Sequence, residues 1–225
     1  MQLEHIVPWG RSLHEYTSMF SLSEGDLKKN ILGCADGPAS FNAEVTKNDG
    51  SVVSVDPMYQ FNAHHIRLRI DEVYPQVMSE VKRNAGDFIW KDIPSIDALG
   101  KVRMAAMTNF LHDYADGQEA GRYVTASLPT LPFEYHQFDL ALCSHYLFLY
   151  SEHIDEAQHI ASLLELCRVA REVRVYPLVS LDGSKSKHLD AVVSSLEHQG
   201  VNILLQPVEY QFQKGANEML VAKCI

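Results

Sequence analysis

Several features are scarce in this sequence of 225 residues, and each scarcity excludes a class of protein. No stretch approaches the roughly 18 consecutive apolar residues of a membrane-spanning helix, so we predict no membrane partner. The amino-terminal residues show neither a basic end followed by an apolar stretch nor a small-residue cleavage site, which predicts a cytoplasmic protein. The cysteines stand singly, without a C-x-x-C pair, and are predicted to be reduced core residues: Cys34, Cys143, Cys167 and Cys224.

Basic residues are also few. The chain has 19 Lys and Arg against 29 Asp and Glu, and this excess of acid repels phosphate backbones and argues against a nucleic-acid partner. No H-x-x-x-H or H-E-x-x-H spacing occurs, and the adjacent His64 and His65 would point in different directions on a helix, so we predict no metal site. The remaining composition is that of a globular protein, and its length predicts one domain over residues 1–225.

Strand and helix patterns alternate along the chain. A capping box at residues 12–15 predicts a first helix within an amino-terminal helical segment, residues 1–29. Residues 30–44 combine a short apolar strand, a loop of small residues and a helix with Pro38 in its first turn. Residues 51–56 are typical of a second strand. This unit predicts two parallel strands joined by a right-handed crossover.

The rest of the chain continues this alternation. Residues 58–118 are mostly helical in pattern and longer than one crossover helix requires, so we predict a helical insertion that forms a cap. A short connection joins the last two predicted strands, which makes them an antiparallel hairpin. Further strands are predicted at residues 122–128, 138–144, 172–179, 201–211 and 217–224. The predicted fold is α/β: a Rossmann-like, doubly wound sheet of about seven strands, mostly parallel with an antiparallel carboxyl-terminal strand.

A candidate ligand site lies where the first two strands end. In an open parallel sheet, ligands bind beyond the carboxyl ends of the strands, where neighbouring crossovers leave in opposite directions. Gly33 and Gly37 can adopt strained dihedral angles, and with Ala35 they let the backbone approach a ligand closely at a helix N-terminus. Asp56 ends the second strand about twenty residues later, where a carboxylate accepts hydrogen bonds from both ribose hydroxyls of a nucleoside.

These motifs resemble those of the class I S-adenosylmethionine-dependent methyltransferases. The family's loop follows a G-x-G-x-G pattern after the first strand, and this chain has Gly33-x-Ala35-x-Gly37 there. The dinucleotide fingerprint G-x-G-x-x-G/A matches less well, because Ala35 occupies its second glycine. The reversed last strand is also similar, and residues 8–12 and 37–44 look like an uncharacterised bacterial branch. The resemblance implies S-adenosylmethionine as the cofactor and an unknown small-molecule acceptor.

The resemblance also implies a set of site residues. Residues 123–140 resemble the stretch that carries the adenine-binding turn and then opens the fourth strand, which places Ser127 and Leu128 beside the adenine. Ser144 and His145 then end that strand beside the methionine moiety. The implied cofactor-binding residues are Arg11, Tyr16, Gly33, Cys34, Ala35, Asp36, Gly37, Pro38, Asp56, Pro57, Ser127, Leu128 and Ser144.

Two departures from the family pattern concern acids. The family usually has an acid two residues before the first loop glycine, where this chain has Ile31, and often another at the adenine turn, where it has Ala126. Asp36 either supplies part of the missing polarity or caps the following helix. At the carboxylate of the ligand we expect Arg11 or Tyr16.

His145 is the candidate general base, because an imidazole can take up or release a proton near neutral pH. Alternatively, it only forms hydrogen bonds with cofactor or backbone, since methyl transfer needs an aligned nucleophile and little else. His64, His65 and residues 109–114 either line an acceptor pocket or have surface and capping roles. Two other functions stay open: a cofactor-binding, non-catalytic or regulatory module, and an oxidoreductase that uses a nicotinamide dinucleotide.

Overall fold

The computed structural model describes residues 7–224 and contains a seven-stranded sheet. The strands are β1 (Asn30–Cys34), β2 (Ser51–Val55), β3 (Tyr123–Val124), β4 (Phe138–Ser144), β5 (Ala170–Tyr176), β6 (Asn202–Pro207) and β7 (Glu218–Lys223). Their order across the sheet is β3-β2-β1-β4-β5-β7-β6. Strand β7 runs antiparallel to both of its neighbours, whereas the pairs from β3 to β5 are parallel. The predicted Rossmann-like sheet with a reversed last strand is therefore confirmed.

Six α-helices accompany the sheet in the described residues. They are α1 (Leu13–Met19), α2 (Phe41–Lys47), α3 (Ala63–Arg83), α4 (Ile96–Glu119), α5 (Glu156–Val169) and α6 (Leu189–His198). Ser12 and Glu15 form the predicted capping box of α1, and Ser95 caps α4 through the backbone N–H of Ala98. Within residues 7–224, none of the helices combines the length and the apolar character that crossing a bilayer requires.

The side chains of the central strands alternate between two cores, one on each face of the sheet. Ile31 of β1 packs with α1 and α2 on one face, and the next residue, Leu32, packs with α5 and α6 on the other. The crossover after β1 therefore lies on the opposite face from the crossover after β4. Between β1 and β4 the crossovers leave in opposite directions, which is where ligands bind in open parallel sheets.

The helical insertion predicted at residues 58–118 corresponds to two long helices, α3 and α4, and the segment between them. Helix α4 packs against α2 and leads into β3, as a crossover helix does, and α3 packs against α4. Apolar clusters around Phe110 and around Val77 and Leu99 stabilise this arrangement. Helix α3 is therefore the element added to the simple crossover.

The predicted third strand is shorter than expected. We predicted strand structure over residues 122–128, but β3 contains only Tyr123 and Val124. The chain then leaves the edge of the sheet and turns at residues 127–130, where Pro129 offers no backbone N–H to a ladder. The residues predicted to contact adenine consequently lie on a turn beyond the strand.

The cysteines also depart from expectation. Cys167 near the end of α5 and Cys224 after β7 form a disulfide, so the prediction of four reduced cysteines is wrong for this pair. They are 57 residues apart in sequence and carry no local spacing motif, and only the packing of α5 against β5, which pairs with β7, brings them together. Cys34 and Cys143 are free and buried, opposite each other on neighbouring strands.

Candidate functional site

A cavity of about 820 Å³ opens above the carboxyl ends of β1, β2 and β4. This volume is typical of small-molecule sites. The strand ends and their following loops form its floor, and the amino-terminal segment, α3, α4 and the loops after β5 and β6 form its walls. The predicted site residues that line it are Arg11, Tyr16, Cys34, Ala35, Asp36, Gly37, Asp56, Pro57, Ser127, Leu128, Ser144 and His145.

The bend after β1 brings backbone groups to the cavity. Ala35 and Gly37 adopt left-handed φ angles of 56° and 54°, so Gly37 meets the expectation of a strained backbone. Gly33 does not adopt a left-handed φ angle, because it lies within the extended strand β1. Ala35 is the residue that shares this conformation with Gly37 in the bend. A Cβ at Gly33 would overlap the carboxylate of Asp36. Glycine is therefore needed at this position to admit a side chain rather than to bend the chain.

Gly33 and Pro38 are the predicted cofactor residues that do not line the cavity within residues 7–224. Pro38 also does not stand in the first turn of α2, because the bend continues as far as Ser40, the N-cap residue. The carbonyl of Pro38 instead packs closely on Gly10, so that a Cβ added at Gly10 would overlap the carbonyl oxygen of Pro38. Pro38 thus helps to seat the amino-terminal segment over the bend.

Asp36 is buried within the bend, with 7% of its surface exposed. Its Oδ1 accepts a hydrogen bond from the Tyr16 hydroxyl at 2.7 Å, and its Oδ2 accepts one from Ser54 Oγ at 2.6 Å. It does not cap α2, which excludes one of the two predicted roles. Burial raises the pKa of Asp36 to about 6, although the two hydroxyls oppose the shift. Asp36 is therefore an acid whose charge changes near neutral pH.

Asp56 follows β2 and contacts the same bend. Its Oδ2 accepts a hydrogen bond from the backbone N–H of Gly37 at 3.0 Å, and its Oδ1 accepts one from Met58 at 2.8 Å. Burial raises the pKa of Asp56, and the two N–H groups partly offset that rise. Each carboxylate oxygen has a second lone pair for a further donor. The bend and the acid that ends β2 thus meet at one wall of the cavity.

His145 follows β4 with a left-handed φ of 52°. Its backbone N–H donates to the carbonyl of Tyr176 at 2.7 Å, and its Nδ1 lies 2.9 Å from Ser144 Oγ. Burial lowers the pKa of His145 well below its usual value, and the positive charges of Arg11 and Arg103 lower it further. The imidazole is therefore neutral at neutral pH, as a proton acceptor must be.

The polar residues predicted on the helical insertion divide between two roles. His65 lines the cavity from α3. Asp113 instead pairs with Arg122 at 2.7 Å, and the hydroxyl of Tyr114 donates to the carbonyl of Tyr59. Of these predicted residues, His65 alone lines the cavity in the described part of the chain, and Tyr114 is buried rather than at the surface.

A buried cluster of charges at the cavity wall was not predicted. Arg103 of α4 and Glu15 of α1 are 1% and 2% exposed. Arg103 Nη1 lies 2.6 Å and 2.5 Å from the two carboxylate oxygens of Glu15, and the Tyr210 hydroxyl donates to Glu15 Oε1 at 3.0 Å. Arg11 lies at the same wall and donates from Nη1 to the carbonyl of Trp9 at 3.1 Å. The cluster joins the amino-terminal segment, the insertion and the carboxyl-terminal loop.

The sequence does contain a signal for Arg103. It lies four residues after Leu99 and four before Met107, both fully buried, so a charged residue interrupts the apolar stripe of α4. A charge in such a position needs a buried counter-charge. Nothing in the local sequence of Glu15 or Tyr210 identifies them as its partners, because these contacts depend on the tertiary fold.

No known family model matches the chain. The uncharacterized protein MJ0045 of Methanocaldococcus jannaschii is 28% identical over 227 residues, which cover 99% of this chain and 98% of that protein. The mitomycin 7-O-methyltransferase MmcR has a TM-score of 0.51 at 12% identity, over 95% of this chain and 54% of that one. This chain and MmcR share a fold. A SAM-dependent methyltransferase from Aquifex aeolicus has a TM-score of 0.48 at 12% identity, over 95% of this chain and 89% of that one. Because the MJ0045 protein is archaeal, a bacterial branch stays a prediction.

Proposed function

We propose that the chain is an S-adenosylmethionine-dependent methyltransferase that acts on a small molecule. The observation that carries this proposal is a single cavity shared by residues 34–37, Asp56, residues 127–128 and the end of β4. In open parallel sheets this is the place for a nucleotide-like ligand. The fold shared with a methyltransferase supports the assignment.

The residues around the cavity suit the three parts of this cofactor. We propose that Asp56 accepts hydrogen bonds from the ribose hydroxyls, and that Ser127 and Leu128 contact the adenine. Arg11 is the proposed partner of the carboxylate, because it lines the cavity, forms no salt bridge in the described residues and carries several guanidinium donors. Cys34, Ala35, Gly37, Pro57 and Ser144 complete the proposed contact surface. When bound, S-adenosylmethionine supplies a methyl group activated by a positively charged sulfur.

Three predicted cofactor residues receive supporting roles in this proposal. The Tyr16 hydroxyl already donates to Asp36, so we assign Tyr16 to orienting that acid rather than to the ligand carboxylate. Gly33 makes room for the Asp36 side chain, and Pro38 seats the amino-terminal segment. Asp36 itself provides a carboxyl group at the bend, where Ile31 provides none.

His145 is the proposed general base. It lies at the end of β4 and lines the cavity, and its Nδ1 is oriented by Ser144 Oγ. Because its pKa is lowered, the imidazole is free to accept a proton, but it is a weak base. It will therefore remove a proton only from an acceptor that is itself fairly acidic.

A cofactor-binding protein without transfer activity is the second candidate. Ile31 favours it, because this residue is fully buried in the core and offers no carboxylate where the methyltransferase family usually has one. Binding of the cofactor without turnover of any acceptor in a broad screen would favour this candidate over the first.

Thermal unfolding with S-adenosylmethionine or S-adenosylhomocysteine tests the proposal. We expect both ligands to raise the melting temperature of the native chain. Asp56→Ala should weaken binding at least about tenfold, because each hydrogen bond to a charged group is worth roughly 1.5–3 kcal/mol. Asp92→Ala, at an exposed acid, is the matched control and should bind normally. No shift at millimolar ligand, or a shift with NAD instead, would remove the methyltransferase proposal.

A further inference from the structure

Part of the cavity remains after the proposed cofactor contacts are assigned. This part, called the acceptor chamber here, is lined by side chains from the amino-terminal segment, α3, α4 and the loops that face them: Trp9, Val77, Val81, Phe88, Leu99 and Phe212. Phe88 and Phe212 stack with their ring centroids 4.9 Å apart. A chamber of this composition favours a largely apolar or aromatic ligand.

The charged side chains beside the acceptor chamber differ in how well their charges are paired. Glu15 accepts hydrogen bonds from Arg103, from Tyr210 and from the backbone N–H of Ser12, so its charge is fully compensated. Arg11 has no salt bridge with any carboxylate in the described part of the chain. Its Nε and that of Arg103 are buried and have no hydrogen-bond partner among residues 7–224. Unpartnered buried donors of this kind are costly unless a ligand satisfies them.

Binding of the proposed cofactor would not remove this excess of positive charge. Arg11 and Arg103 against Glu15 leave one positive charge in excess. The carboxylate and ammonium of the cofactor cancel each other, and its sulfonium adds another positive charge. The other acids that line the cavity within residues 7–224 are Asp36 and Asp56 at the bend and the exposed Asp87. At His145, however, the nearby charges are those of Arg11 and Arg103, which lower its pKa, so an acceptor beside His145 binds in a positive potential.

We propose, on the basis of the proposed function, that the acceptor is a largely apolar small molecule that presents an ionised oxygen, either a carboxylate or a phenolate, to Arg11 and Arg103. Such an oxygen would satisfy the unpartnered guanidinium donors and lower the local positive charge. A protonated amine would add a third positive charge to a buried site. O-methylation is therefore favoured over N-methylation.

The reaction balances with groups that the site and the proposed cofactor provide. A lone pair of the ionised oxygen forms the new O–C bond, and the C–S bond breaks with its electron pair left on sulfur. The products are a neutral methyl ester or ether and a neutral thioether. A carboxylate needs no base, whereas a phenol gives its proton to His145 only once the guanidinium groups of Arg11 and Arg103 have made it acidic enough for that weak base.

Probe ligands of equal size test this proposal without turnover. Isothermal titration compares 2-naphthoate with the neutral 2-naphthamide and the cationic 2-naphthylmethylamine, each with and without saturating S-adenosylhomocysteine. We expect naphthoate to bind at least about tenfold more tightly than naphthamide, and the amine to bind most weakly. The absorbance of bound 2-naphthol shows whether a phenol binds in its ionised form, which separates the phenolate from the carboxylate.

A charge variant links the preference to the arginine. Arg11→Met keeps an unbranched side chain about as long as the aliphatic part of arginine and leaves no buried carboxylate unpaired. It should reduce the preference for naphthoate to below about threefold while naphthamide binds as before. Arg69→Met is the matched control, because Arg69 lies at the exposed outer part of the cavity and pairs with Glu72 at the surface. If Arg11→Met does not fold, the series on the native chain decides alone.

The outcomes separate this proposal from the proposed function. Equal or tighter binding of naphthamide or of the amine overturns the acceptor class, whatever S-adenosylhomocysteine does. A preference for naphthoate that disappears when S-adenosylhomocysteine is bound also overturns it, because Arg11 then serves only the carboxylate of the cofactor. A preference for naphthoate in a chain that does not bind S-adenosylhomocysteine overturns the proposed function instead.

Discussion

Glu15, the partner of Arg103, and Asp36, which lines the cavity, are both buried acids, yet their pKa values shift in opposite directions. Burial alone raises the pKa of Glu15, but the bound Arg103 more than reverses this and lowers it below the usual value. Burial also raises the pKa of Asp36, and its hydroxyl partners, Tyr16 and Ser54, only reduce the rise, which leaves it at about 6. The difference lies in the partners: one acid has a buried cation and the other has only neutral donors.

The contacts of Glu15 and Asp36 stabilise different parts of the structure. The pair formed by Glu15 and Arg103 joins α1 to α4 across 88 positions of sequence and holds the helical insertion against the amino-terminal segment. Asp36 instead accepts hydrogen bonds from Tyr16 and Ser54, 20 and 18 positions away in sequence, beside the bend after β1 that lines the cavity. We infer that the first region provides rigidity and that the second provides polarity that can change with pH.

The largest effect is expected from breaking the buried ion pair of Glu15 and Arg103. Arg103→Met leaves Glu15 buried without its cation, which should lower the free energy of unfolding by about 3–5 kcal/mol. Urea denaturation measures this loss directly. The double variant Glu15→Gln with Arg103→Met should recover part of it, because the unpaired charge is gone. A loss below about 1 kcal/mol in the single variant would show that Glu15 is easily protonated and that the contrast between the two acids is weaker.

The region around Asp36 was more accessible to sequence reasoning than the region around Glu15. Small residues after a short apolar strand, followed by an acid at the end of the next strand, are local patterns with a known geometric meaning. They predicted that the bend and Asp56 share a site. They did not predict which residue is strained, because a left-handed conformation at Ala35 rather than Gly33 depends on where the Asp36 side chain packs.

Contacts across long separations could not be read from the sequence. Tyr210 reaches Glu15 over 195 positions, and the disulfide of Cys167 and Cys224 depends on how α5 packs beside the sheet. Periodicity predicts the buried face of a helix but not what covers that face. The apolar stripe of α4 indicates that Arg103 is a buried charge, but it does not identify the partner of Arg103.

A second variant, at Asp36, tests the contrast between the two acids through the pH dependence of stability. The pKa of Asp36 rises from the ordinary value of 3.8 to about 6 in the folded chain, so the folded state binds its proton more tightly than the unfolded state. The resulting stability is complete below pH 3.8 and is lost as the pH rises through about 6. Asp36→Asn removes this titration. We expect the stability of the native chain to fall relative to the variant by on the order of 2 kcal/mol across that interval.

Urea denaturation at a series of pH values measures this difference. Subtracting the variant from the native chain removes the contributions of the other titrating groups, which the two chains share. A difference that does not change with pH would show that folding leaves the pKa of Asp36 at its ordinary value, and stability that rises with pH relative to the variant would place Asp36 with Glu15 rather than opposite to it.

The smallest expected effect compares two tyrosine hydroxyls. Tyr210 donates to the charged Glu15 at 3.0 Å, whereas Tyr176 donates to the neutral carbonyl of Ala216 at 2.7 Å. Tyr210→Phe should cost roughly 1.5–3 kcal/mol and Tyr176→Phe roughly 0.5–1.5 kcal/mol, since hydrogen bonds to charged groups are the stronger ones. Equal losses in urea denaturation would mean that Arg103 alone stabilises Glu15. The shorter distance at Tyr176 makes this a test of charge rather than of geometry, because distance alone would predict the opposite order.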